Sequence, residues 1–294
     1  MRIAITGASG LIGTALCSEL ADRGDEPIRI GRSAATADVV WDPANEKLDS
    51  SELEGSDAVV HLAGESIAAG RWTDGRKRRM KESRVQGTEF LSRRLAQLQR
   101  PPQVLVSASA IGYYGDQGDA ICDDDGPLGD GFLPDLCNAW EMAVQPARDT
   151  GIRVVTVRIG IVLSRHGGAL AKMLLPFKLC LGGRVGSGRQ YWSWIGVPDL
   201  VGAIVHAIET PSLSGVVNGV AGTLTNLEFT KALGRALKRP TIFPLPAFVA
   251  RCMLGQMADE LLLASARVVT NKLPQSGFKF AHDDLDVALQ VALR

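Results

Sequence analysis

Three glycines near the start of the chain carry the most legible chemistry. Gly7, Gly10 and Gly13 stand in Thr6-Gly7-Ala8-Ser9-Gly10-Leu11-Ile12-Gly13, between the apolar run Arg2–Thr6 and a helical pattern over Leu11–Arg23. A strand that turns on glycine into a helix offers an anion the free N–H groups and the positive dipole end of that helix. Gly7 suits a tight turn, Gly10 lets backbone meet a pyrophosphate, and Gly13 lets the helix close on the sheet. The spacing is G-x-x-G-x-x-G rather than G-x-G-x-x-G, so the strand–turn–helix context gives the signal its specificity. The expected ligand is a dinucleotide, with Ser9, Leu11 and Ile12 completing the loop.

The next strand, Pro27–Gly31, decides which dinucleotide. Sites for NAD usually end this strand on an acidic residue that binds the ribose 2′-hydroxyl. Here it runs Ile30-Gly31-Arg32-Ser33. A guanidinium can pair with a 2′-phosphate and stack on adenine, whereas a carboxylate would repel the phosphate. Arg32 and Ser33 therefore point to NADP(H). The alternative for Arg32 is a solvated surface charge.

The elements that must position these residues alternate strand and helix. Strands are expected at Ala58–Leu62, Val104–Ser107 and Val154–Arg158, with helices at Arg76–Leu98 and Asp135–Arg148. Short apolar strands alternating with helices indicate an α/β fold, a doubly wound parallel sheet of the Rossmann type. After about Leu163 the pattern changes, and Gly167, Gly168, Gly182, Gly183, Gly186 and Gly188 punctuate a helix and an irregular loop reaching Gln190. Helices are expected at Leu227–Leu237, Ala247–Gly255 and Asp259–Val269, and strands at Val216–Val220 and Thr241–Phe243. The expected organisation is a nucleotide domain over residues 1–163, with strand and helix returns from 193–220. A smaller α/β substrate lobe occupies 164–294, including a C-terminal helical segment over 240–294.

Bulk properties exclude several classes. Among 294 residues, 32 basic side chains balance 32 acidic ones, which speaks against a nucleic-acid partner held by charge. The basic cluster Arg76-Lys77-Arg78-Arg79 then reads as a solvated helix face. No apolar run reaches the length of a membrane helix, and the start MRIAITG carries no cleavage pattern. Five scattered cysteines, without a C-x-x-C pair, fit a reduced, cytoplasmic setting. The four histidines show no metal-ligand spacing, so no metal is expected.

Further segments resemble the extended short-chain dehydrogenase/reductase superfamily. Ala58-Val59-Val60-His61-Leu62-Ala63-Gly64 is similar to its fourth-strand motif. Val106-Ser107-Ala108-Ser109 with Tyr113-Tyr114-Gly115 is similar to its fifth-strand segment, and Ser193-Trp194-Ile195-Gly196-Val197-Pro198-Asp199-Leu200 to a downstream one. Gly64-Glu65-Ser66-Ile67, Arg71-Trp72, Ser83-Arg84, Trp140-Glu141, Gly182–Gln190, Pro244-Leu245-Pro246 and Gly277-Phe278-Lys279-Phe280 resemble a narrower, atypical branch of epimerase-family proteins. The resemblance spans essentially the whole chain. It implies an NADP-binding α/β fold and makes Leu62, Ala63, Gly64, Ser107 and Ile161 further expected cofactor contacts.

One part of that pattern is missing. Ordinary members use Tyr-x-x-x-Lys, where the lysine grips the nicotinamide ribose and lowers the tyrosine pKa, and the tyrosine exchanges a proton with substrate. The three tyrosines here, Tyr113, Tyr114 and Tyr191, are followed four residues later by Gln117, Gly118 and Ile195. Matching Glu141 to the superfamily's helix glutamate puts Leu133 and Cys137 in the tyrosine and lysine slots. Arg84 becomes the candidate substitute cation. Ser109, Tyr113 or Tyr114, and Glu65 become the candidates for proton transfer, each with a packing or capping role as its alternative. Two functions follow: an NADP(H)-dependent oxidoreductase or nucleotide-sugar-epimerase-like enzyme on a small polar substrate, or a non-catalytic NADP(H)-binding sensor. Substrate identity stays open, as does a homodimer.

Overall fold

The computed structural model describes residues 1–294. Its framework is an eight-stranded sheet built from β1 (Arg2–Thr6), β2 (Glu26–Gly31), β3 (Val39–Asp42), β4 (Lys47–Leu48), β5 (Ala58–His61), β6 (Val104–Ala110), β8 (Arg153–Ile159) and β11 (Gly215–Gly219). The spatial order is β11-β8-β6-β5-β1-β2-β3-β4, and all pairs but β3–β4 are parallel. The strand order reverses at β1, with β2 added on one side and β5 on the other, and ligands of such sheets bind at that switch point, beyond the carboxyl ends of the strands. The strands are apolar on both faces because helices cover both. On one side, α1 (Leu11–Asp22) and α7 (Val197–Glu209) bury Leu16, Leu20, Ile204 and Val205 against Ile3, Ile5 and Val106. On the other, α3 (Gly87–Ala96) and α5 (Gln145–Asp149) bury Phe90, Leu91, Leu95 and Ala147 against Ala4, Val59 and Leu105.

The second half adds a small sheet, β12 (Gly222–Thr225), β10 (Tyr191–Gly196) and β9 (Ile161–Leu163), in that spatial order. Against it pack α6 (Gly168–Lys178), α8 (Asn226–Leu237) and α12 (Leu285–Leu293), around Trp192, Trp194, Phe229 and Leu289. Of the segment 193–220, α7 and β11 return to the large sheet, whereas β10 belongs to the small one. No helix is long and apolar enough to cross a membrane.

Several expected elements differ. The helix over Arg76–Leu98 is α2 (Asp74–Lys81), a π-turn at Glu82–Gln86, and α3. The helix over Asp135–Arg148 divides into α4 (Phe132–Met142) and α5, with Pro146 in the first turn of the second piece. Thr241–Phe243 forms no strand. Pro240, Pro244 and Pro246 remove ladder donors around it, and the chain is held instead where Leu245 N donates to Arg184 O and accepts Gly186 N on its own carbonyl, each at 2.8 Å. The helix expected at Asp259–Val269 is a π-turn at Asp259–Leu263, after α9 (Ala247–Leu254) and α10 (Gln256–Ala258). The chain then enters β13 (Arg267–Val268), where it pairs with β7 (Ile121–Cys122). A short α11 (Lys272–Gln275) follows.

Candidate functional site

The phosphate loop closes on itself through its glycines. Gly7 has φ +70°, and a Cβ there would lie 2.9 Å from Ala63 N. A Cβ on Gly13 would lie 2.2 Å from Gly7 O, closer than any side chain could stand. Gly10 heads α1 with no side-chain cap and no acidic residue in the first helical turn. The N–H groups and dipole of this helix end are therefore free for an anion. Leu11 and Ile12 open the helix, Leu11 facing Gly167 and Ile12 packing on the core. Behind the loop, Thr6 Oγ1 accepts Leu62 N and Ala63 N at 3.1 and 3.3 Å.

Beside that loop, Ala8, Ser9, Gly31, Arg32, Ser33 and Thr36 border a cavity of ≈ 160 Å³ at the end of β2. Arg29, also on this wall, is already paired with Asp38 at 2.9 Å. Arg32 is exposed and makes no ion pair, so its guanidinium is available there.

The π-turn at Glu82–Gln86 turns Arg84 inward, to 7% exposure. Such turns recur at functional sites because the extra residue re-aims a side chain. Arg84 Nη1 donates to Glu65 O at 2.8 Å, its guanidinium lies 5.0 Å from the Trp140 ring centre, and a Cβ on Gly64 would sit 3.2 Å from Cζ. Its buried Nε has no partner. Burial lowers the Arg84 pKa, while Cys137 and Glu65 act the other way. Burial pushes the Cys137 thiol up to about 12, assisted by Glu141 and opposed by Arg84. Arg84 thus stands near Cys137, the residue in the lysine slot.

A buried hydrogen-bond relay supports this corner. Thr6 Oγ1 bonds His61 Nδ1 at 2.7 Å, and His61 Nε2 bonds Thr88 Oγ1 at 2.8 Å. Thr88 Oγ1 also accepts Trp140 Nε1 at 2.9 Å. Thr6 already accepts two amides, so its hydroxyl donates to Nδ1 and His61 carries its proton on Nε2. Burial, and then Arg84, lower the His61 pKa to about 4.

The proton-transfer candidates separate. Ser109, buried at the end of β6, donates to Glu141 Oε1 at 2.7 Å. Glu141 in turn takes two hydrogen bonds from Arg158, Nε–Oε1 at 2.8 Å and Nη2–Oε2 at 2.9 Å. Arg158 lies 3.3 Å from the centre of the Tyr113 ring and donates to Tyr114 Oη at 2.9 Å. Burial would depress Arg158, but the hydrogen bonds and charge of Glu141 hold it above its ordinary value. Burial moves Tyr114 up to about 12. Ser109 and Tyr113 therefore share one network. Glu65 stands apart from it, near Arg76 at 4.0 Å and with its amide on Ser83 Oγ at 3.0 Å. Ser107 is fully enclosed in β6.

A cavity of ≈ 440 Å³ with a largely apolar lining opens beyond the ends of β6 and β8 and under the small sheet. Ala110, Ile111, Leu133, Ile161, Trp192 and Leu263 line it, and Tyr191 is its phenol. Ser109, Tyr113 and Glu65 are not on its wall. Leu133, the residue in the tyrosine slot, is. Sequence reasoning overlooked the Glu141–Arg158 pair, the His61 relay and the cavity's Tyr191 and Glu260. The pair did leave a trace: Arg158 interrupts the apolar run Val154-Val155-Thr156-Val157.

Known proteins are similar to this chain in sequence and fold. Residues 3–218 match the family described as NAD dependent epimerase/dehydratase family, and 245–292 match a C-terminal domain of unknown function, DUF1731. Epimerase family protein Mb2239 of Mycobacterium bovis is 43% identical over 99% of this chain and 97% of its own length. The crystal structure of human epimerase family protein SDR39U1 with NADPH is similar at a TM-score of 0.92 and 36% identity, covering 99% of both chains. A nucleoside-diphosphate sugar epimerase of Corynebacterium glutamicum is similar at 0.80 and 33%, covering all of this chain and 58% of that one. The match over residues 3–218 of the 294, together with relatives of this identity over nearly the full length, places the chain in the NAD dependent epimerase/dehydratase family.

Proposed function

We propose that the chain is an NADP(H)-dependent oxidoreductase acting on a small carbonyl compound. The observation that carries this reading is the ≈ 440 Å³ cavity at the carboxyl ends of β6 and β8, on the same sheet edge as the phosphate loop. A protein that only senses the cofactor has no need of such a chamber. The uncapped helix end at Gly10 would take the pyrophosphate, Arg32 and Ser33 the 2′-phosphate, and the charge of Arg84 would serve the ribose side that a lysine serves elsewhere in the superfamily. NADPH in the crystal structure of the human relative supports the same choice of cofactor.

When bound, the dihydronicotinamide supplies a hydride. Arg84 orients it from the lysine side. Leu133 and Ile161 exclude water from the cavity floor, and Tyr191 is the phenol positioned on the wall to give or take a proton. Ser109, donating to Glu141, and Tyr113, stacked on Arg158, hold the end of β6 behind Ala110 and Ile111. The test is NADPH oxidation against panels of carbonyl compounds and nucleotide sugars. Turnover on any carbonyl compound that falls at least ~10-fold in Tyr191→Phe is expected. Tight NADPH binding with no turnover on either panel would leave the sensor reading in its place.

A further inference from the structure

We infer that the cavity admits a compact, apolar-bodied organic carbonyl compound without phosphate groups, and rejects nucleoside-diphosphate sugars. This rests on the reading of the cavity as the substrate site. Its floor is hydrocarbon and aromatic: Ile67, Ile111, Leu133, Ile161, Trp192 and Leu263. Its charged groups are Asp116, Asp130, Asp259, Glu260 and Arg251, four carboxylates against one guanidinium.

That guanidinium is already engaged, since Arg251 Nε donates to Asp259 Oδ1 at 2.7 Å. The longest helix to start on this wall is α4, which begins after Gly131 without a side-chain cap from its own segment. Glu260 caps it from the π-turn: its carboxylate accepts Leu133 N at 2.7 Å and Phe132 N at 3.3 Å. The dipole and N–H groups that would attract an anion are thereby satisfied. Asp116 Oδ1 is held by Ser265 N and Gly118 N, and Asp130, exposed at the rim, has no partner. Two other cations in this region are engaged elsewhere. Lys77 lies over the Phe132 ring and Arg267 over the Tyr191 ring, and neither is on the wall. A pyrophosphate entering this space would lose its hydration without gaining a cation and would face like charge at the rim. A neutral ketone or aldehyde with a ring or branched chain meets neither penalty.

Binding, rather than turnover, tests this directly. With the full chain saturated by NADP+, titration calorimetry is run with acetophenone and with UDP-glucose. Acetophenone is expected to bind saturably, with UDP-glucose at least ~100-fold weaker. Ile67→Asp, a half-buried wall position on a loop, should weaken acetophenone at least ~10-fold while leaving NADP+ affinity unchanged. Asp130→Lys should narrow the gap between the two probes by removing one rim charge and adding its opposite. UDP-glucose binding as well as acetophenone, acetophenone binding that ignores Ile67→Asp, or the absence of acetophenone binding would each overturn the inference. Saturable acetophenone binding without turnover of any carbonyl compound would instead defeat the proposed reductase activity and leave the ligand class standing.

Discussion

Two corners of one sheet edge are built by different means. At the β1–α1 corner almost everything is backbone: three glycines, a helix end without a cap and a loop pressed onto Leu62 and Ala63. At the β6–α4 corner almost everything is side chain: Arg84 arriving from a π-turn, Cys137 and Trp140 from α4, and Thr88 and His61 linking Trp140 back to Thr6. Backbone geometry admits few substitutes, because only glycine fits a gap of 2.2 Å. A side-chain cation can be delivered from any element that reaches the spot. On the proposed reading, the first corner keeps its motif, while at the second a cation from the α2–α3 junction would stand in for a lysine on α4.

The sharpest way to break this contrast is to restore the missing lysine. Cys137→Lys would put a second buried cation beside Arg84, where neither has a carboxylate of its own. A stability loss of about 4 kcal/mol is expected by denaturant titration, since an unpaired buried charge typically costs 3–5 kcal/mol. Adding Arg84→Gln should return a large part of it. Simple additivity of the two changes would show that Arg84 does not occupy the lysine's place. At the other corner, Gly13→Ala has no partner change that could rescue it. The new methyl meets a carbonyl oxygen, so NADPH affinity should fall at least ~100-fold, about 3 kcal/mol. A Gly13→Ala protein that binds NADPH normally would mean the loop has slack that its close packing denies.

The relay between the corners should show itself in acid. His61 is held neutral, with its pKa at about 4 against 6.5 for an ordinary histidine. The unfolded chain takes up this proton first, so stability falls as pH drops from about 6.5 toward 4 and is unaffected above that window. By pH 5 the loss is about 2 kcal/mol. His61→Gln should flatten that part of the stability profile, measured as the difference from wild type at each pH so that shared carboxylate titrations cancel. Parallel profiles would mean that His61 protonates in the fold without penalty.

The same contrast explains what could be read in advance. The phosphate loop and its sheet are local and periodic: glycines at fixed spacing, apolar runs, a strand end at Gly31 followed by Arg32. The expected α/β layers and the β1–α1 turn follow from residues adjacent in sequence. The β6–α4 corner depends on contacts between residues 52 positions apart, as between Thr88 and Trp140, which no spacing rule encodes. Ser109 and Tyr113 stood out by type and context, yet their partners Glu141 and Arg158 are visible only once β8 lies beside β6. The C-terminal segment misleads for a related reason. Asp259–Val269 has a helical composition, but its path is fixed by pairing of Arg267–Val268 with Ile121–Cys122, far earlier in the chain.

Arg32 lies between these extremes, a side chain at a position the backbone motif fixes. It is exposed, so its contribution to a 2′-phosphate is screened by water and salt. Arg32→Asp should weaken NADPH by roughly 10-fold, about 1.4 kcal/mol, while NADH holds or gains slightly through a carboxylate contact to its 2′-hydroxyl. Raising the salt concentration should shrink the NADPH preference of wild type and leave NADH binding nearly unchanged. A variant that still prefers NADPH to the same degree would return Arg32 to the solvated surface. The 2′-phosphate would then be held by Ser33, Thr36 and backbone alone, and even the cofactor choice would belong to the glycine-built corner.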